Sequence, residues 1–179
     1  MTTAPYHLIV KYGDEEQGQW TNFEATSALF HPDSGYEQAM SIPSEVTRND
    51  TFLHPFSQRE TVALFAIASL LPHYRERKQA ERMLAASDLV LAANPKDVNA
   101  MTFRGDVYYM LIEQRFRAKY PKAEQIPLEL RAEYLDYSKQ NLAWYEKAEA
   151  LGWRQWGPAE RQRYLQHFNN MKTQSQGGS

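Results

Sequence analysis

Five histidines, at positions 7, 31, 54, 73 and 167, are the side chains best suited to proton transfer or metal binding in a chain without cysteine. With no thiol there is no disulfide, no thiolate metal site and no sulfur nucleophile in these 179 residues. His31, His54, His73 and His167 lack the spacing that gathers ligands on one ion, and read as loop or surface residues. His7 lies in a β-favouring run, Tyr6-His7-Leu8-Ile9-Val10-Lys11-Tyr12, closed by the turn signal Gly13-Asp14. A second such run, Trp20-Thr21-Asn22-Phe23-Glu24-Ala25-Thr26, carries a carboxylate. Taken alone, one His and one Glu on two short strands carry little chemical meaning.

The elements around these residues set what could position them. Two strands joined by a polar loop make a hairpin, which is marginal in water unless something covers it. An uncovered edge would invite a second copy of the chain to pair with it, so a homodimer through the N-terminal sheet edge is an expectation. Residues 31–56 show no lasting periodicity and read as a linking segment. One or two helical turns are expected around Tyr36 to Met40, with Phe30, Tyr36 and Phe52 anchoring the segment to the core. Helical character starts at Ser57, where Ser57-Gln58-Arg59-Glu60 has the form of a capping box. Pro72 should end or kink that first helix. Further helices are expected from about Arg75 to Ala93, from Asp97 towards Phe116, from Leu128 to Leu151 with Gly152 as a cap, and from Gly157-Pro158 to about Met171. Small residues Ala80, Gly105 and Ala148 fall where helices would meet closely. The tail, 173–179, reads as disordered.

Composition excludes several classes. Lys and Arg number 20 against 22 Asp and Glu; no basic stripe suggests nucleic acid, and no acidic tail suggests histone-like partners. Glu15-Glu16 and the run Arg75 to Lys78 read as solvated charge. The longest apolar stretch, Thr61 to Leu71, is about half the roughly 20 residues that a membrane helix needs. There is no signal-peptide pattern at Met1, so a cytoplasmic protein is expected. No phosphate-cradling or dinucleotide motif appears, and no cofactor is expected.

The segment from Asn94-Pro95 to Leu111 resembles the junction between two tetratricopeptide repeats. Pro95, Ala100, Gly105 and Tyr108 match that pattern in register, whereas Met101 stands for the usual Trp and Arg104 for the usual Leu. Trp144-Tyr145-Glu146-Lys147-Ala148 resembles a repeat's second helix. The resemblance implies a fold that is mainly α: a short N-terminal β-hairpin followed by antiparallel helical hairpins, over residues 57–172. It also implies protein or peptide partners, in a groove lined by Arg104, Tyr108, Tyr137 and Trp144. The spacing departs from the family: Pro95 to Gly152 is 57 residues, against a period of about 34. Plain helix packing accounts for most of these positions.

Residues 1–30 are similar to the second half of a transglutaminase-like, papain-type catalytic core. The likeness rests on Pro5-Tyr6-His7 with its strand, and on Trp20-x-x-Phe23-Glu24-Ala25-Thr26. The resemblance places His7 on that family's His and Glu24 on its Asp, with Ala25 replacing Pro and Thr26 retained. In such a site the imidazole takes a thiol's proton, and a carboxylate behind it fixes its tautomer and stabilises its cation. Glu for Asp adds one methylene to the reach, and Asn22, on the same strand face, is an alternative partner for His7. Bacterial proteins of this type often continue into a segment like Phe52 to Leu64 and then into tetratricopeptide-like helices.

With the thiol absent, two accounts are open. Either the chain is the C-terminal part of a longer enzyme whose Cys lies upstream, which is favoured, or it is a Cys-less remnant. In both, the chain alone is inactive. The alternative from another class is a non-enzymatic interaction module that binds a protein or peptide.

Overall fold

The computed structural model describes residues 1–14, 16–25 and 28–176. The chain is mainly helical, with a four-stranded antiparallel sheet at its N-terminal end. It divides into two compact units, residues 1–57 with 152 onward, and residues 58–151.

In the first unit the expected hairpin is the centre of a larger sheet. Strands β1 (Thr2–Ala4), β2 (His7–Asp14), β3 (Gln19–Glu24) and β4 (Leu29–His31) lie in that order. β1 escapes a propensity reading because it is three residues long. Pro5 and Tyr6 turn it tightly into β2, with Ala4 paired to His7 and Tyr6 at a φ of 58°. Proline sets the first turn residue and a positive φ follows, as in a type II turn, which fixes His7 as the opening residue of β2. Gly13 pairs with Trp20, where a Cβ would come within 1.9 Å of the Gln19 carbonyl oxygen. Only glycine fits there. Asp14 Oδ1 accepts from the amides of Glu16 and Gln17 and starts the turn into β3.

The segment read as a linker is part of this unit. Helices α1 (Asp33–Met40) and α2 (Ser44–Arg48) bury Tyr36, Met40 and Val46. Phe52 and Leu53 are buried, but Phe30 is 58 % exposed, because its strand parity turns it to the outer sheet face with Phe23 and Tyr12. The β1 edge is covered: Thr3 O accepts from the Leu53 amide and Met1 O from the Phe56 amide. Among the described residues the other edge strand is β4, three residues long, and a short edge is a poor template for pairing with a second copy. Helix α8 (Pro158–Gln176) belongs here as well. It reaches beyond Met171 and makes residues 173–176 helical, while 177–179, like Glu15 and Thr26, lie outside the described residues.

In the second unit, α3 (Gln58–Phe65) passes through a π-helical turn, Ala66–Leu70, into α4 (Leu71–Glu76). Pro72 therefore neither ends the helix nor breaks it. The wide turn just before it accommodates the missing N–H and the ring. Arg75 consequently belongs to α4, and α5 starts only at Ala80 (Ala80–Ala93). α6 (Val98–Ile112) is capped by Asp97, whose carboxylate accepts from the Ala100 amide at 2.9 Å. A second π-turn, Glu113–Arg117, turns Phe116 into the core, and α7 spans Leu128–Ala150. The core is Ile67, Leu71, Met83, Val90, Ala100, Val107 and Leu111. The small residues expected at close helix approaches are buried, Ala80 at 7 % and Ala148 at 0 % exposure. Helices pack in chain order, α5 on α6 and α6 on α7. Their lengths of 14, 15 and 23 residues do not repeat.

Candidate functional site

The register of β2 on β3, with Val10 opposite Phe23 and Lys11 opposite Asn22, puts His7, Ile9 and Lys11 on one face with Asn22 and Glu24. Continued by one residue, it sets Glu24 beside Ile9, one diagonal step from His7. Across that step the extra methylene of a glutamate is an asset, and His7 Nε2 meets Glu24 Oε2 directly. Glu24 is 2 % exposed and the His7 side chain 12 %.

Two phenols complete the arrangement. Tyr36 Oη, from α1, donates to the same Glu24 oxygen at 3.1 Å. Tyr164 Oη, from α8, lies 2.9 Å from His7 Nδ1. A carboxylate only accepts, so Nε2 carries hydrogen; in the neutral ring Nδ1 then accepts from Tyr164. The His7 ring stacks on Tyr36 at a centroid distance of 6.1 Å, with Tyr164 edge-on at 6.1 Å. Burial and the Glu24 charge push the Tyr164 hydroxyl up to about 12. Burial, then the charge and hydrogen bond of Glu24, hold Tyr36 higher still. Both phenols are therefore protonated donors at neutral pH.

Asn22, the alternative partner, is turned elsewhere. Its Nδ2 donates to His31 O at 3.1 Å and to Asp33 Oδ1 at 2.7 Å. Lys11 Nζ, almost fully buried, lies 2.5 Å from the same Asp33 oxygen. This second polar cluster clamps β2, β3 and the start of α1, with Lys11 four residues along β2 from His7. Asn22 Oδ1 and His31 Nε2 are buried with no hydrogen-bond partner among the described residues. The contributions of Tyr36, Tyr164 and Asp33 had no signal in the strand motifs, because each comes from a helix outside them.

The four residues read as a groove lie along the α6–α7 seam and meet one another. The Arg104 guanidinium sits 4.6 Å from the Trp144 ring centre and pairs with Asp88. Tyr108 and Tyr137 approach to 6.0 Å, and Tyr137 Oη donates to Glu133 at 2.7 Å. Half-buried and in contact as two pairs, they pack the helix pair together. A groove of about 750 Å³ lies instead on a different face of α6, lined by Arg75, Lys78, Tyr109, Met110 and Arg117 among others.

Of the other histidines, His54 lies beside Phe56, and His73 is exposed and bonded to Arg77. The His167 side chain lies outside the described residues. Among the described residues no group of three His, Asp or Glu side chains could hold a metal ion. No helix among them is long and apolar enough to cross a membrane. No protein-family model, curated protein or solved structure matches the chain.

Proposed function

We propose that the first unit carries the histidine–carboxylate half of a transglutaminase-like, cysteine-dependent acyl-transfer or amide-hydrolysis site, and that this chain is inactive without a thiol from another polypeptide segment. The observation that carries the reading is the buried contact of His7 Nε2 with Glu24 Oε2. It makes Nδ1, which Tyr164 meets here, the nitrogen a nucleophile would use, and it gives the imidazolium a charge partner. His7 would take the thiol proton at Nδ1 and later return it to the leaving group. Glu24 would hold the ring, and Tyr36 would hold Glu24.

The test is chemical. The native polypeptide, isolated from its cells by an antibody against residues 58–151, is weighed intact and its thiols are alkylated. A reactive cysteine, in the same chain or in a tightly bound one, is expected, and His7→Ala should slow its alkylation. A thiol-free species of 20.8 kDa with no bound thiol protein would contradict the proposal.

A second reading, a tetratricopeptide-like module that binds a peptide, is favoured by the open groove beside α6. This groove is lined by Arg75, paired with Asp106, and by Arg117, which lies over Tyr109 and pairs with Glu113, so both charge signs and an aromatic ring border it. On this reading, charge reversal at Arg75 and Arg117 abolishes partner capture while His7→Ala leaves it unchanged.

A further inference from the structure

We infer that α8 acts as a latch that closes His7, with Tyr164 occupying the one ring nitrogen that a nucleophile must reach; the inference rests on the reading of His7 and Glu24 given above. An imidazole offers two nitrogens. Nε2 is committed to Glu24, on the buried face of the sheet. Nδ1 is held by Tyr164 Oη. One ring face is covered by Tyr36 and an edge by Tyr164. A proton passes between Nδ1 and an incoming group only after the Tyr164 contact is released, and that contact comes from a helix, so it opens without unpairing strands.

A chain of aromatic rings ties the latch to the sheet. Tyr164 packs on Trp156 at 5.2 Å, and Trp156 on Tyr6 at 4.7 Å. The Trp156 amide and the Arg154 carbonyl meet Tyr6 Oη at 3.3 and 3.4 Å, long bonds on an exposed side chain. Between α1 and α8 a cavity of about 230 Å³, lined by Met40, Ser41, Trp156, Glu160 and Arg163, reaches Tyr164. The cavity beside Tyr164 gives its ring space to move aside. The chemistry that would replace Tyr164 is that of another proton donor at Nδ1, and the proposed activity requires a thiol there. The inference is that a cysteine-bearing segment engages by displacing α8, not by docking beside it.

Diethyl pyrocarbonate, which acylates the unprotonated nitrogen of imidazole, reports on Nδ1 directly. Full-length protein is treated at neutral pH, and the rate at each histidine is read by peptide mass spectrometry, with exposed His73 as the internal standard. His7 is expected to react at least about tenfold more slowly than His73, because both nitrogens are bonded. Tyr164→Phe keeps the ring packing and should accelerate His7 about fivefold, the population change that one lost hydrogen bond produces. Tyr164→Ala should raise the rate further. In both variants the rate at His31, on the sheet, should stay at its wild-type value, which separates opening of the latch from unfolding of the unit. A wild-type His7 that reacts as fast as His73, or an unchanged rate in Tyr164→Phe, would overturn the latch. Neither result would touch the thiol assay, so the two claims fail separately.

Discussion

Glu24 receives His7 Nε2 and Tyr36 Oη on a single oxygen while being 2 % exposed. A buried charge with its partners in place is tolerated, but a half-emptied site leaves polar groups without compensation. Glu24→Ala should therefore lower unfolding free energy by about 3–5 kcal/mol in urea titration. Tyr36→Phe removes one bond to a charged acceptor and should cost about 1.5–3 kcal/mol. If both variants unfold like wild type, the carboxylate is not where it is described. His7 and Glu24 could be named only through the motif resemblance of their strand contexts; alternation adds that positions 7, 9 and 11 share a face. Asn22 could not be separated from Glu24 that way, since both share the parity. What separates them is Asp33, whose carboxylate takes the Asn22 amide and the Lys11 ammonium. No strand pattern carries that information.

Helix α6 meets α7 closely at Gly105. A Cβ there would lie 2.7 Å from Tyr145 Cε2, and Tyr145 is fixed by a 2.6 Å bond from its hydroxyl to Asp106. Gly105→Ala gains about 1 kcal/mol of helix propensity, but overpacking costs about 1–3 kcal/mol. A net loss of up to about 2 kcal/mol is expected in thermal or urea melts, and a stabilised variant would show that the helices are further apart. This approach was legible, because a glycine inside a helical pattern needs a packing reason. The course of the chain through Pro72 was not. Proline argues for a stop, yet a single π-turn at Ala66–Leu70 lets the helix run on to Glu76. Helix α8 was expected as the last element of the helical array, because the turn at Gly157-Pro158 marks a start without marking a destination. Its place with the sheet depends on Tyr6, Trp156 and Tyr164, aromatic contacts between residues about 150 positions apart.

Both units depend on tyrosines that must stay protonated. Tyr164 is held to about 12 against an ordinary value of 10.0, and Tyr36 and, in the second unit, Tyr145 are held above it by burial and a neighbouring carboxylate. Above the ordinary value the unfolded chain releases these protons while the folded chain keeps them. The folded state then binds more protons, and its stability falls as pH rises. Stability contributed by these groups is thus full below about pH 10 and is lost as pH climbs through the folded values. Urea midpoints should drop across that alkaline window, and tyrosinate absorbance should show a late phase that Tyr164→Phe reduces. A midpoint flat through that window would contradict the burial described for these hydroxyls.

The central claim is that one imidazole is bonded on both nitrogens, Nε2 to a carboxylate and Nδ1 to a phenol. Long-range proton–nitrogen NMR on the full chain, with ring-labelled histidine and His7 assigned through His7→Gln, reads this directly. The prediction is a single Nε2–H tautomer for neutral His7, with the Nε2 proton shifted downfield by its carboxylate partner. An Nδ1–H tautomer, or a freely averaging pair, would mean that Glu24 does not hold the ring.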